Sequence, residues 1–248
     1  MRQEEKLNSM QHNTPYKPQL SSRTLTGRSS KLVWYGCLGL IGALASRLLR
    51  PWIAAHLGKP SPRDWPLWAT LAGWLLFSIY WDVAAKNTAP AASSESRGSR
   101  ILHVFLTNAA LLLILVPVHG LRQRYLPASP IVPAAGLIVQ AMSLLLAVWA
   151  RRHLGRNWSG EITIKVDHKL VRSGPYRVVR HPIYTALLGM YAGSAAVSGE
   201  LHALLGLALA AFAYVRKIRL EEAVLMESFG ADYRDYSRTT RALAPGLF

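Results

Sequence analysis

Six long apolar stretches limit what this chain of 248 residues can fold into. About 20 consecutive apolar residues are enough to cross the hydrocarbon core of a bilayer as an α-helix. Only 17% of the residues are charged, whereas soluble domains carry roughly a quarter. The pattern therefore predicts an all-α fold, a polytopic membrane bundle of five to six transmembrane helices. The stretches are 32–49, 67–85, 101–118, 131–150, 183–197 and 201–215.

The last two stretches are short for a span, and only residues 198–200 separate them. This spacing predicts a tight helical hairpin that either dips into the bilayer or crosses it with support from neighbouring helices. The first stretch has Arg47 close to its end. It could therefore be a surface helix, which would leave five spans. Residues 86–100 are rich in Pro, Ser and Gly and read as a polar loop.

The charge distribution indicates an orientation in the membrane. The formal net charge is +16, and residues 151–180 hold eight lysines and arginines against Glu161 and Asp167. Because cytoplasmic loops are rich in Lys and Arg, six spans place both termini in the cytoplasm. We expect an integral membrane protein, in a membrane of the bacterial inner-membrane type. Nucleic acid is not expected as a partner, since the basic residues alternate with apolar stretches and no nucleic-acid motif accompanies them.

No metal site is expected from the sequence. Cys37 is the single cysteine, and the eight histidines lack the spacing of metal ligands.

The segment Arg180-His181-Pro182 stands at the threshold of the fifth stretch. Proline disfavours helical dihedrals in the residue before it and suits the first position of a new helix. Arg180 and His181 should then lie just before a helix N-terminus, where the helix dipole favours an anion. Two interpretations remain open: a pocket for a carboxylate or phosphate, and simple anchoring of the helix to lipid headgroups.

An acidic pair, Glu221-Glu222, follows the last stretch. It lies on a predicted helix that Gly230 would terminate. Adjacent side chains on a helix point about 100° apart, so at most one carboxylate should face a given pocket. The alternative is that the pair only balances the nearby Arg216, Lys217 and Arg219.

Four sequence blocks together resemble the isoprenylcysteine carboxyl methyltransferase family of integral membrane methyltransferases. The similarity covers about residues 149–248, and the pattern GPYxxxRHPxY followed by EE…FGxxYxxY…P is its most specific part. The blocks are ARRHLGRNWSGEI, HKLVRSGPYRVVRHPIY, RLEEAVLMESFGADYRDY and LAPGL.

This resemblance implies methyl transfer from S-adenosylmethionine to a lipophilic or small acceptor at the cytoplasmic membrane face. Composition and hydropathy predict a disordered basic tail (1–30) and transmembrane helices (31–148). The resemblance implies a methyltransferase core with a helical hairpin and a cytoplasmic cofactor-binding cap (149–248). If the acceptor is a carboxylate, Arg180 with Arg238 or Arg241 would clamp it. The cofactor-binding residues implied by position are Gly174, Pro175, Tyr176, His181, Pro182, Tyr184, Glu221 and Glu222.

Two other functions fit parts of the sequence. A membrane reductase of the sterol or enone type, using NADPH, has a similar C-terminal plan. It would need a cluster of lysines and arginines for the 2′-phosphate, whereas the glutamate pair suits a zwitterionic cofactor. A non-enzymatic membrane scaffold would leave the polar C-terminal clusters without a role.

Overall fold

The computed structural model describes residues 65–85, 95–155, 158 and 170–243. Within these ranges there are no strands, only helices and two isolated β-bridges, which confirms the all-α class for this part of the chain. The predicted tail and the first apolar stretch lie outside the described residues. In chain order the helices are α1 Trp65–Ala85, α2 Arg97–Leu115, α3 Ile131–Leu154, α4 Pro182–Ser198, α5 Leu201–Phe229 and α6 Ala231–Thr239, with a 3-10 turn at Gly174–Arg177 before α4.

Two predicted boundaries were wrong. Helix α2 begins four residues earlier than its apolar stretch, because the Ser96 side chain accepts a hydrogen bond from the Ser99 N–H and caps the helix. Helix α5 does not end at Val215 but continues through the charged residues to Phe229. Hydropathy falls at that point, while the residues beyond it remain good helix formers. The helix does end directly before Gly230, as predicted.

The first five helices run alternately up and down the bundle. Helix α1 runs parallel to α3, since Gln140 contacts Thr70 near one end and Arg151 contacts Ala84 near the other. Helix α5 is antiparallel to α4, since the hydroxyl of Tyr184 reaches Glu221 across the hairpin. We call the end where α1 and α3 finish and α2 and α4 begin the cap end. The opposite end, which holds the two-residue turn between α4 and α5, is the far end.

Helices α3 and α4 form the most extensive contact between any two of the described helices. A Cβ atom added to Gly193 would lie 2.5 Å from the carbonyl oxygen of Gly136, so neither backbone could approach as closely with a larger residue. A buried polar cluster lies beside this crossing. The amide of Gln140 donates to the backbone oxygen of Thr70, and the Trp74 indole donates to the hydroxyl of Ser194. These bonds tie α1 to α3 and α4 within the apolar interior.

The outer surface of the bundle is apolar. Four described helices, α1, α2, α3 and α5, are long and apolar enough to cross a membrane. On α1 the side chains of Leu75, Leu76 and Val83 are about 60% exposed, which suits contact with lipid. Helix α4 has 17 residues, or about 25 Å. The protein is an integral membrane protein, while the five to six spans, the cytoplasmic cap and the orientation of the termini stay predictions.

Candidate cofactor and acceptor site

The Arg180-His181-Pro182 segment leads into α4 and lies against the C-terminal segment, residues 240–243. Pro182 is the first residue of α4, as predicted. The backbone N–H groups of Arg180 and His181 donate to the carbonyl oxygens of Arg241 and Ala242, over 2.8 and 3.0 Å. These two N–H groups are therefore already hydrogen-bonded to the C-terminal segment, and an anion bound at this helix end would need other hydrogen-bond donors.

The Arg180 guanidinium joins three parts of the cap end. Its Nε and Nη2 atoms both lie 2.7 Å from Oε1 of Glu222 on α5. Its Nη1 atom donates to the carbonyl oxygens of Ser237 and Thr240, at the end of α6. The side chain is 11% exposed. Arg180 therefore connects α5 to α6 and uses most of its five N–H donors inside the protein.

His181 lies between the two glutamates. Its side chain is 4% exposed, with Nε2 3.3 Å from Oε1 of Glu222 and Nδ1 3.9 Å from Oε2 of Glu221. The ring stacks on that of Tyr184 at a centroid distance of 5.5 Å. His181 and Glu222, 41 positions apart in the sequence, thus meet at the cap end.

The two glutamates have different surroundings. Glu222 is paired with Arg180, whereas Glu221 accepts a hydrogen bond of 2.7 Å from the neutral hydroxyl of Tyr184. Among the described residues, no lysine or arginine forms an ion pair with Glu221, and its side chain is 31% exposed. Arg180, Glu221 and Glu222 carry one positive and two negative formal charges, and within the described residues the arginine pairs with Glu222 and not with Glu221.

The Gly174-Pro175-Tyr176 turn packs beneath this group. Gly174 has φ = +59°, and a Cβ atom there would lie 2.6 Å from Cε1 of His153. The His153 Nε2 atom is 2.9 Å from the hydroxyl of Ser173. Burial and then the negative charge of Glu221 raise the pKa of Tyr176. The turn is therefore fixed beside Glu221 by a histidine to which the sequence analysis assigned no role, although His153 belongs to the block ARRHLGRNWSGEI.

The other two predicted arginines lie at the edge of the site. Arg238 and Arg241 line a cavity of about 300 Å³ together with Arg180. The Arg238 side chain is 73% exposed, and Nη1 is 3.9 Å from the carboxylate of Asp235. The remaining lining residues are Ser237, Thr239 and Thr240. The structure thus brings the three arginines to one cavity, although Arg180 faces it with few free donors.

No group of three or more His, Cys, Asp or Glu side chains within the described ranges could hold a metal ion.

Comparison with known proteins identifies the region that contains this site. Residues 131–232 match the model of the phospholipid methyltransferase family. Methanethiol S-methyltransferase 2 of Bradyrhizobium diazoefficiens is 40% identical over 74 residues, which cover 29% of this chain and 27% of the relative. This region is therefore similar to an isoprenylcysteine carboxyl methyltransferase-like family of membrane methyltransferases. This result confirms the resemblance read from the four sequence blocks.

Two further relatives of this methyltransferase-like region come from metal-resistance systems. The cobalt-zinc-cadmium resistance protein CzcN of Cupriavidus metallidurans is 31% identical over 120 residues, 48% of this chain and 51% of its own length. The nickel-cobalt-cadmium resistance protein NccN of Alcaligenes xylosoxydans xylosoxydans is 33% identical over 121 residues, 47% of this chain and 53% of its own length. The chain therefore spans about half the length, or less, of the curated relatives it matches.

A solved structure of a eukaryotic isoprenylcysteine carboxyl methyltransferase also aligns with the chain. The alignment has a TM-score of 0.37 and 16% identity, and it covers 90% of this chain and 70% of the other. Similarity at this level is too low to support an argument about fold or function.

Proposed function

We propose that this protein transfers the methyl group of S-adenosylmethionine to a small or lipophilic acceptor at the cap end, on the cytoplasmic membrane face. One observation carries the proposal. In the region that matches the methyltransferase family, the buried His181 meets the Glu221–Glu222 pair at the end of two apolar helices, and no lysine or arginine of the described residues pairs with Glu221.

The charges of the site fit this cofactor. S-adenosylmethionine carries a sulfonium, an ammonium and a carboxylate, so its net charge at neutral pH is +1, opposite to that of the group around Glu221. We assign Glu221 to the ammonium or the ribose diol, through charge-assisted hydrogen bonds. When bound, the cofactor supplies an electrophilic methyl group.

The other residues have supporting roles in this proposal. The Tyr184 hydroxyl holds the Glu221 carboxylate in place. Arg180 and Glu222 hold α6 and the C-terminal segment against the site, which helps to exclude water. The Gly174–Tyr176 turn and Pro182 form the wall beside His181. Methyl transfer requires mainly alignment and a dry site, and in this proposal these residues contribute to both.

The acceptor reaches the site from the bilayer or the cytoplasm. If it is a carboxylate, Arg238 and Arg241 would bind it, because most donors of Arg180 are already engaged. If it is a thiol, as the name of the Bradyrhizobium relative suggests, it must first lose its proton. In this proposal the cavity of about 300 Å³ that Arg238 and Arg241 line receives the acceptor, and identification of the labelled product distinguishes the two acceptor classes.

The test has two stages, with the detergent-purified full chain. Radiolabelled S-adenosylmethionine and NADPH are first compared as ligands, and the proposal expects only the former to bind. Methyl-labelled cofactor is then incubated with lipid extracts, small thiols and small carboxylates, and the labelled product is identified. Binding of NADPH alone would favour the reductase, and binding of neither ligand would favour a scaffold.

A further inference from the structure

Helix α2 ends with a backbone carbonyl that has no helical donor. In an α-helix the oxygen of Leu113 would accept from the N–H four residues later, but that residue is Pro117, which has no N–H. At the far end of the bundle, the Leu113 oxygen lies 2.6 Å from Nδ1 of His202, near the start of α5. Because a carbonyl oxygen only accepts hydrogen bonds, Nδ1 carries a hydrogen atom and supplies the missing bond.

The other nitrogen of the same ring faces a carboxylate. Nε2 of His202 lies 3.1 Å from Oε2 of Glu200, in the turn between α4 and α5. The histidine side chain is 2% exposed and the Glu200 side chain 18%. A neutral imidazole has a single N–H group, so a hydrogen on Nδ1 leaves a lone pair on Nε2 that points at the carboxylate. Two acceptors at this distance repel each other, and a second proton is needed to join them.

The charged groups around the pair favour placing this proton on the ring. Nε of Arg122 lies 3.6 Å from the same carboxylate oxygen and favours the ionised form of Glu200. Arg124 donates to three backbone carbonyl oxygens. Of the other titratable side chains in the described residues at the far end, His119 is exposed, and Tyr125 donates its hydroxyl to a backbone oxygen. The described parts of α1 to α4 that reach this end contain no acidic or basic side chain.

We propose that His202 and Glu200 form an imidazolium–carboxylate pair, and that this pair is a proton-dependent latch at the far end. The protonated ring donates from both nitrogens, to Leu113 on α2 and to Glu200 in the turn, and so ties the hairpin of α4 and α5 to α2. The exposed part of Glu200 lets the pair exchange protons with solvent. The latch does not depend on the proposed function. If the cap end is cytoplasmic, as proposed above, the latch responds to the pH on the opposite side of the membrane.

Loss of the second proton would weaken this junction without dissolving it. The ring would then face two acceptors with a single N–H and could satisfy only one of them. Backbone bonds cross the same junction, since the N–H groups of Leu201 and His202 donate to the carbonyl oxygens of Gln123 and Leu121 over 2.9 and 3.1 Å. The latch therefore adjusts the stability of the far end and leaves the fold in place.

The experiment observes the ring directly, in the full chain purified in detergent and containing isotope-labelled histidine. Nitrogen NMR distinguishes an imidazolium, which has two protonated nitrogens, from a neutral ring, which has one. The signal of His202 is identified by its loss in His202→Asn. At about pH 7.5 a histidine without a partner is about nine-tenths neutral, whereas the proposal expects both nitrogens of His202 to be protonated.

Glu200→Gln provides the matched comparison. Its amide N–H can donate to Nε2 of a neutral ring, so this variant should keep the contact while the ring loses its second proton. The control is Glu227→Gln, on the exposed surface near the other end of α5, which should leave the spectrum of His202 as in wild type.

Thermal unfolding of the same proteins tests whether the pair acts as a latch. Because the folded pair holds a proton that the unfolded chain releases, its contribution is present at low pH and is lost as the pH rises. Between about pH 6 and pH 9, the unfolding temperatures of wild type and Glu227→Gln should therefore fall more than that of Glu200→Gln.

Three results would overturn the proposal. A wild-type ring with a single protonated nitrogen shows that the pair holds no second proton, and this observation needs no variant. Two protonated nitrogens in Glu200→Gln show that the carboxylate does not hold the proton. Parallel unfolding curves for wild type and Glu200→Gln show that the proton does not stabilise the far end.

Discussion

Replacing each of the two adjacent glutamates by glutamine should change a different property: cofactor binding for Glu221 and stability for Glu222. Glu221→Gln removes a carboxylate with which no described lysine or arginine pairs, while the amide oxygen can still accept a hydrogen bond from the Tyr184 hydroxyl. Glu222→Gln removes the anion that holds Arg180, whose side chain is 11% exposed. The first variant should therefore fold normally and bind S-adenosylmethionine poorly. The second should be less stable, with a smaller direct effect on binding.

The expected magnitudes follow from the exposure of each group. A hydrogen bond to a charged group contributes about 1.5–3 kcal/mol. Since the Glu221 side chain is 31% exposed, we take the lower part of that range, or about 10- to 30-fold in Kd. Removing one partner of a buried ion pair costs about 3–5 kcal/mol. Glu222 is 26% exposed, so a loss of about 1–3 kcal/mol is expected, or several degrees in unfolding temperature.

The assay combines calorimetric titration with S-adenosylmethionine and thermal unfolding in the same detergent. A neutral analogue that lacks the amino group should bind both wild type and Glu221→Gln with similar affinity if Glu221 binds the ammonium. The assignment is refuted if Glu222→Gln loses binding while remaining stable and Glu221→Gln binds as wild type does. If both variants bind S-adenosylmethionine as tightly as wild type does, neither charge is needed for binding.

Three further predictions concern stability and use thermal unfolding in detergent. Gly174→Ala should destabilise the protein by about 1–3 kcal/mol, because φ is +59° and His153 occupies the space of the new Cβ. The control Gly98→Ala should not destabilise it, because the space around Gly98 is open. Equal losses of stability in the two variants would contradict this reasoning. Gly193→Ala should cost about 1–3 kcal/mol by separating α3 from α4, and an unchanged unfolding temperature would show that the helices adjust freely. At Glu95, burial favours the protonated form, but the hydrogen bond from Ser99 and the charge of Lys217 outweigh it and hold the pKa below its ordinary value of 4.5. A lowered pKa in the folded state stabilises the protein above the unfolded-state pKa, and this contribution is lost as the pH falls below 4.5 through the lowered value. Unfolding temperatures measured from about pH 6 to pH 3 should therefore fall less steeply for Glu95→Gln than for wild type, and parallel curves would exclude this role.

The helices could be predicted from the sequence because their signals are local. Pro182 begins α4 and Gly230 follows the end of α5, as the residues indicate. The end of α5 was wrongly predicted at Val215, because a fall in hydropathy shows where a helix leaves an apolar environment and not where the helix itself ends. The cap at Ser96 was missed for a related reason, since the capping serine lies in a segment whose composition is that of a loop.

The site could be predicted only in part. The sequence pattern named the residues around His181 and the acidic pair, but it could not distinguish Glu221 from Glu222, because that depends on the position of Arg180. The engagement of Arg180 with the end of α6 joins residues 57 and 60 positions apart. The contact of His153 with Ser173 and Gly174 likewise depends on packing between distant segments, which no local pattern reports.

The position of α4 bears on how a lipid-dissolved acceptor would reach the site. The helix has 17 residues, about 5 Å less than the hydrocarbon layer of a typical bilayer, and none of its residues is exposed. Neighbouring helices therefore separate it from lipid, and the bilayer need not thin to match its length. If the proposed acceptor is dissolved in the membrane, it has to pass between those helices to reach His181, and its entry would then depend on the side chains at that opening.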